Sequence, residues 1–461
     1  MQHNSRTPAE IGYLPDETPS IGKLLVFAFQ QVLVMFPATV TVALLTGFHV
    51  STTIFASGLA TLCFLLITRG KIPLYYGSSF SYIAAIVGIT GASQFGVTVA
   101  DNLISQAQFG IICSGLVSIV AGIIVSFFGI ESIEKVLPPT ITGSIALVIG
   151  ISLAGTAMTS VAGYSSSQIG VVADAVYTRG ALDAASSNMW IAALVTLLAT
   201  IVFSVYLKGV WSQLPILLGI LTGYAVSIPL GLIDFTGLFS GSLIAVPHFT
   251  LPKVSGAAAL AIMPIAIATI PESTAHLFQL DIYVNDLARR KGKGKYNIAD
   301  KLGLNLIGDG VGDIVSSLFG GPAGTNYGEN ISTMAITRNF SCAMLAVAAV
   351  IAMILSFFTP LSNLINTVPS AVINGACIFL FGVIAAQGIA IMINKKVDMF
   401  DARNLAVIST ILIIGLGGSF GFPGGMIPIF GGKMPAIASA AIFGIALNLL
   451  LSARKKGVPA E

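Results

Sequence analysis

Twelve apolar stretches, most of them long enough to cross a bilayer as a helix, punctuate this chain near residues 24–48, 51–68, 109–129, 137–158, 189–207, 211–233, 257–280, 302–319, 340–359, 369–393, 404–420 and 434–453. About 20 apolar residues span the hydrocarbon core, where backbone must satisfy its own hydrogen bonds, so the chain is constrained to a polytopic helical membrane fold. Two further stretches, near 75–91 and 327–337, are shorter or more polar, and each follows a break. The first break is Pro73-Leu-Tyr-Tyr76-Gly77-Ser78-Ser79-Phe80; the second is Pro322-Ala-Gly-Thr, followed by Tyr327-Gly328-Glu329-Asn330. Each reads as a half-helix preceded by extended backbone, which is tolerated only where protein buries it. Counting both predicts about fourteen segments in two sets of seven, with the interrupted segment third in each set, a pattern that points to a transporter site. An odd repeat implies that the two sets are inverted.

Composition agrees with this reading. Of 461 residues, 55% are hydrophobic and 9% charged, and the mean hydropathy is +0.92, too few charges to cover a soluble globule of this size. A net charge of +3, with basic residues spread through loops, argues against a nucleic-acid partner. Cys63, Cys113, Cys342 and Cys377 lie in apolar stretches without paired metal-ligand spacing and read as small hydrophobes. Residues 1–20 are polar, with Glu10, Asp16 and Glu17, and lack the basic start and apolar core of a signal peptide, so the first span is expected to persist.

Positive charge provides an independent check on the segment count. With the N-terminus inside, nineteen of the 22 Lys and Arg residues fall on one face, and only Arg179, Lys253 and Lys433 fall on the other. Both termini are therefore expected in the cytoplasm of a bacterial inner membrane. The run from Arg289 to Lys295 reads as a topology anchor between the two halves.

Few ionisable side chains lie at membrane depth: Glu272 and His276 in the eighth segment, Asp309 and Asp313 in the ninth, and Glu329 at the tenth. Glu272 and His276, spaced i, i+4, share a helix face and can exchange a proton directly or through one water. Burial favours the neutral form of a carboxylate, so such a group can take up a proton on one side of a membrane and release it on the other. Asp309 and Asp313 stand in Gly308-Asp309-Gly310-Val-Gly312-Asp313, where glycines admit a neighbouring backbone. Asp309 reads as a further proton-coupling group, and Asp313 equally well as a polar residue satisfied by nearby amides. No metal site is expected, since His276 and the scattered carboxylates lack a spacing such as H-E-x-x-H. Gly77-Ser78-Ser79 lacks the G-x-S-x-G frame, which leaves an intramembrane enzyme as a minor alternative.

Four motifs then stand in order: Gln30-Gln31-Val-Leu-Val-Met35-Phe36-Pro37-Ala38-Thr39-Val40; Gly70-Lys71-Ile72-Pro73 running into Tyr76-Gly77-Ser78-Ser79-Phe80; Pro271-Glu272-Ser-Thr-Ala-His276; and Asn326-Tyr327-Gly328-Glu329-Asn330 through Thr337-Arg338. Together, over roughly residues 20–455, the chain resembles the nucleobase-ascorbate transporters (nucleobase:cation symporter-2 family), uracil permease branch. The resemblance implies an all-α polytopic membrane protein of about 14 segments in two inverted 7-segment repeats, with short antiparallel strands in segments 3 and 10. It also implies a core domain of residues 21–130 and 250–360 (segments 1–4 and 8–11) and a gate domain of residues 131–240 and 361–453 (segments 5–7 and 12–14), between cytoplasmic tails 1–20 and 454–461.

Carried onto this sequence, the family's site puts Glu272 and Glu329 on the base edge, backbone amides at Phe80 and Gly328 beside them, Tyr327 nearby, Phe80 stacking on the ring, and Ala38 on the pocket floor. His276 is similar to the proton-linked histidine of the uracil members. There are two departures: Ser332 replaces a glycine of the family pattern, and Phe381 lacks the hydroxyl a tyrosine would bring. Uracil alternates N–H and C=O along its edge, which two carboxylates and two amides complement, and Glu329 where purine members commonly carry Gln favours a pyrimidine. The expectation is a proton-coupled importer of uracil or a related pyrimidine working by alternating access, with the proton as coupling ion, no other cofactor, and a possible homodimer in the bilayer. A xanthine or other purine permease and an anion carrier or channel on the same fold are the alternatives.

Overall fold

Each apolar stretch forms a helix in the computed structural model, which describes residues 12–92, 98–129, 136–161, 184–236, 238, 241–429 and 432–454. Arg6, Lys135, Arg179, Lys455 and Lys456 of the charge count lie outside the described residues. The first set of seven is α1 (Ile21–Thr46), α2 (Val50–Ile67), β1 (Tyr76–Ser78) leading into α3 (Ile83–Thr90), α4 (Asp101–Phe128), α5 (Pro139–Val161), α6 (Ala184–Tyr206) and α7 (Pro215–Ser227). The second set is α8 (Gly256–Arg290), α9 (Leu302–Leu318), β2 (Gly324–Asn326) leading into α10 (Gly328–Thr337), α11 (Cys342–Leu355), α12 (Ser370–Asn394), α13 (Ala402–Gly421) and α14 (Ala436–Arg454). Among the described residues, seven helices are long and apolar enough to cross a bilayer, and five shorter apolar helices accompany them. The protein is a multi-pass membrane protein.

Helix packing follows the inversion. Exchanging segment n with segment n+7 maps the α4–α9 contact onto the α11–α2 contact, and α6–α7 onto α13–α14, while α2–α9 and α5–α12 map onto themselves; all six pairs are packed. β1 and β2 likewise pair with each other, antiparallel, with Tyr76 opposite Asn326, Gly77 opposite Thr325 and Ser78 opposite Gly324. Proline sits inside both first helices of the sets, Pro37 in α1 and Pro271 in α8.

The close approaches rest on glycine. In α9, Gly310 lies against the Gly115 carbonyl of α4, and Gly312 lies under the Tyr76 ring, where a side chain would collide. Tyr75, Tyr76 and Tyr82, flanking or within the β1 segment, are fully buried.

Three features differ from the periodicity of the sequence. α7 is only 13 residues long, because residues 209–213 form a 3₁₀ turn before Pro215 and the chain turns at Gly231 with φ +69°. α8 runs on to Arg290, past the apolar stretch, as an amphipathic extension that closes on basic residues. A second hairpin, β3 (Met426–Ile429) with β4 (Gly432–Pro435), joins α13 to α14.

Residues 12–20, read from sequence as tail, are docked. Tyr13 donates its N–H to the Arg338 carbonyl and accepts from Phe340 N–H, both at 2.8 Å, and Glu17 pairs with Lys291 at 2.5 Å and Lys293 at 3.0 Å.

Candidate functional site

Extended backbone at membrane depth needs hydrogen-bond partners that lipid cannot supply. For β1 they come from α2: Thr61 Oγ1 accepts the Tyr76 N–H at 3.1 Å, and the Ser57 and Thr61 hydroxyls donate to the Tyr76 carbonyl at 2.9 and 3.0 Å. Ser57 and Thr61 are one turn apart and so address the same backbone. For β2 the partners come from α9. Asp313 accepts the Gly324 N–H at 2.8 Å and the Tyr76 hydroxyl at 2.5 Å, so one carboxylate ties both strands, while Ser316 donates to the Pro322 carbonyl at 2.7 Å.

One turn earlier, Asp309 accepts from the Ser273 hydroxyl of α8 and from Asn326 Nδ2 of β2, the latter at 2.8 Å; Asn305 Nδ2 donates to Ser273 Oγ at 2.7 Å. Asp309, expected in a proton-coupling role, here braces β2 against α8. Asp313 does what its sequence alternative described, with a backbone amide among its donors.

On this frame the two half-helices begin, the first through a 3₁₀ turn at Phe80 and the second at Gly328. First-turn N–H groups have no carbonyl partner within their own helix, and the helix dipole is positive there, so both openings present donors beside the strand pair. Ser79 Oγ already accepts the Ser81 N–H at 3.3 Å.

Glu272 follows Pro271, which removes one hydrogen bond of the α8 ladder. Its Oε2 accepts from the Ser81 hydroxyl of the first half-helix at 3.3 Å. Glu329 lies in the first turn of α10, half-buried. His276, one turn beyond Glu272, lies against the start of α10: its Nε2 sits so close to Gly328 that a Cβ there would approach it to 2.9 Å. His276 Nδ1 is buried without a hydrogen-bond partner. The structure thus brings Glu272 to Ser81, and His276 to the start of α10, rather than bonding the two side chains to each other.

The remaining expected residues surround this pair. Phe80 meets Phe381 of α12 edge to face, ring centroids 6.0 Å apart at 75°. The Tyr327 hydroxyl lies 3.0 Å from Thr39 of α1 and donates to the Ser78 carbonyl at 3.0 Å, so it braces β1 rather than standing free. Ala38 is buried in α1 next to Thr39. Ser81 and Asn305 belong to the site without having stood out in the sequence; Tyr76, Ser273, Asn326 and Asn330 stood within its motifs without an assigned role, and Asn330 Nδ2 donates to Gln31 Oε1 at 2.7 Å and to the Gln31 carbonyl at 3.1 Å. A signal existed for Asn305, which forms one polar stripe at helical spacing in α9 with Asp309, Asp313 and Ser316.

Chemically, the arrangement offers two carboxylates as acceptors, two helix openings as donors and one aromatic face. Among the described residues, no Lys or Arg side chain hydrogen-bonds or pairs with either carboxylate.

The sequence model described as "Permease family" matches residues 22–424. The uracil permease of Bacillus caldolyticus is 35% identical over 445 residues, covering 95% of this chain and 94% of that protein. A putative pyrimidine permease, RutG, of Escherichia coli (strain K12) is 33% identical over 461 residues, covering 98% and 95%. Among solved structures, the transmembrane domain of a cyanobacterium bicarbonate transporter, BicA, superimposes with a TM-score of 0.63 at 15% identity, covering 88% of this chain and 97% of that one. The murine anion transporter Slc26a9, in its inward-facing state, gives 0.62 at 13% identity, covering 98% and 73%. At that identity the likeness is one of fold.

Proposed function

We propose that this chain, which belongs to the Permease family, is a nucleobase permease that imports uracil or a related pyrimidine, coupled to protons, by alternating access. The observation that carries the reading is that Glu272, bonded to Ser81 of the first half-helix, and Glu329, in the first turn of the second, stand at the two openings at Phe80 and Gly328, with His276 bridging from the Glu272 helix to Gly328. A neutral ring with alternating N–H and C=O groups suits this set: the carboxylates accept from ring N–H, the backbone amides donate to ring carbonyls, and Phe80 packs on the ring face. The names of the sequence relatives support the same substrate class.

Two carboxylates without a basic partner repel an anion, which argues against anion transport although the fold is shared with anion carriers. Glu272 carries the coupling proton, and His276, one turn away, adjusts how readily it is released. The movement separates segments 1–4 and 8–11 as a core from segments 5–7 and 12–14 as a gate, with the Phe80–Phe381 contact on the boundary between them. Both termini face the cytoplasm.

Competitive uptake of labelled uracil against unlabelled uracil, thymine, xanthine and hypoxanthine, with and without an uncoupler, tests the reading. The expected result is competition by uracil well ahead of the purines and loss of accumulation with the uncoupler. Preferred competition by xanthine or hypoxanthine would move the substrate to the purines, and accumulation that resists the uncoupler would remove the proton.

A further inference from the structure

At the end of the bundle remote from Lys291, three side chains far apart in sequence meet at one point. His248 Nε2 lies 2.8 Å from Asp101 Oδ2, and His49 Nε2 lies 3.4 Å from Asp101 Oδ1. The two imidazoles stand 4.4 Å apart, centroid to centroid, tilted by 45°, and one ligand atom from each of the three residues falls within 4.8 Å of the others. We propose that His49, Asp101 and His248 form a binding site for one divalent transition-metal ion of the zinc type.

The donor set and its spacing support this. Two imidazole nitrogens and one carboxylate oxygen are ligands that zinc and its neighbours accept, whereas magnesium and calcium prefer oxygen alone. A tetrahedral ion with bonds of ~2.0–2.1 Å holds its ligand atoms ~3.3 Å apart. The closest separations, 3.4 Å from His49 to Oδ1 of Asp101 and 2.8 Å from His248 to its Oδ2, run to the two different oxygens and lie on either side of that value, so a small turn of the carboxylate brings one oxygen into place.

The ligands are also held from behind. The His49 carbonyl accepts from Thr53 N–H and from Thr53 Oγ1, each at 2.9 Å, at the start of α2. The His248 carbonyl accepts from Thr52 Oγ1 at 2.8 Å, and two residues on, Gln108 of α4 donates to the Thr250 carbonyl at 2.8 Å. Asp101 occupies the first turn of α4. Three anchored segments therefore present the set with little ordering left to do on binding.

Access is open. The side chains of Asp101 and His248 are both 55% exposed and that of His49 25%, and a cleft lined by Gly47, His49, Thr98, Ser362 and Asn366 adjoins the His49 ring, which leaves a fourth coordination position to water. An ion here ties the chain between α7 and α8 to the starts of α2 and α4, and under the orientation proposed above it binds from outside the cell. No motif announces the site, because its ligands stand at positions 49, 101 and 248.

The test is calorimetric titration of the full chain in detergent, its expression tag removed, with Zn²⁺, together with the melting temperature with and without the ion. One Zn²⁺ per chain with a raised Tm is expected, and the same concentration of Mg²⁺ gives neither. His49→Gln, Asp101→Asn and His248→Gln should each lower Zn²⁺ affinity at least tenfold and abolish the Tm rise, while His3→Gln changes nothing. Uracil uptake by His248→Gln without added zinc, within twofold of the parent, would show that the variant folds. Wild-type protein that takes up no saturable Zn²⁺, or uptake that all three variants retain, would overturn the proposal and leave Asp101 as a hydrogen-bond acceptor for two rings.

Discussion

At the scale of single residues, Glu329 and Glu272 are separated by what each one touches. Glu329 stands in the first turn of α10, beside the proposed ring edge, so Glu329→Gln replaces one acceptor by a donor facing a ring N–H. Removing a buried, charge-assisted hydrogen bond in this way costs about 2–4 kcal/mol, and uracil binding to purified mutant protein should weaken accordingly while the protein still reaches the membrane. Unchanged binding would take Glu329 out of the site. Glu272 bonds Ser81 while His276 leans on the start of α10, so the two should separate in function. Glu272→Gln is expected to damage both binding and uphill uptake, and His276→Ala mainly uphill uptake, with exchange of labelled for unlabelled base surviving. Normal proton-driven accumulation in His276→Ala, followed across pH, would leave the histidine a packing role.

At the scale of elements, the strand pair stands or falls with the helices that satisfy it. Ser57 and Thr61 are the side-chain donors to the Tyr76 carbonyl. The double variant Ser57→Ala/Thr61→Val leaves that carbonyl and the Tyr76 N–H unpaired at membrane depth, and should cost about 1–3 kcal/mol for each group left unsatisfied, read as a lower Tm in detergent. A Tm within error of the parent would mean that water or another group replaces the hydroxyls. The N-terminal clasp behaves differently, because it lies outside the spans. Burial works against its charge, yet hydrogen bonds from Lys291, the Leu14 N–H and Lys293 hold the Glu17 carboxyl at about 2, below the ordinary 4.5. Since the docked form binds its proton less tightly, the clasp contributes fully above the ordinary value and loses that contribution as pH falls toward about 2. The protection of the residue 12–20 amides, taken relative to their intrinsic exchange rate at each pH, should therefore fall across that window, and Glu17→Gln should show the lower protection already at neutral pH, a loss of about 1 kcal/mol or less for a partly exposed pair. Protection in the parent that ignores acid would dismiss the clasp.

At the scale of the molecule, the charge asymmetry predicts one orientation in the membrane, and the two ends of one helix test it. Ser242, before α8, and Gly294, after it, are both exposed. A membrane-impermeant maleimide applied to whole cells should label Ser242→Cys and not Gly294→Cys, and tags at both termini should be reached only after permeabilisation. The reverse pattern would invert the protein in the membrane and place the His49–Asp101–His248 cluster inside the cell.

How much of this was legible in the sequence depends on the range of the forces involved. Span count, the pairing of the two interrupted segments and the charge asymmetry are local or compositional, because hydrocarbon imposes one length and one hydrogen-bonding rule on each segment separately. Glu272, His276 and Glu329 stood out for the same reason: a charge in an apolar run is visible without knowing its neighbours. The neighbours are what only the tertiary structure decided. It turned Asp309 and Asp313 toward Asn326, Tyr76 and Gly324, occupied the Tyr327 hydroxyl with Thr39 and Ser78, and carried His49, Asp101 and His248 to one point. Hydrogen bonds act over about 3 Å and are indifferent to separation along the chain, so which polar groups are spent on holding the strands, and which are left for a ligand, emerges only once α2, α8 and α9 have packed around them.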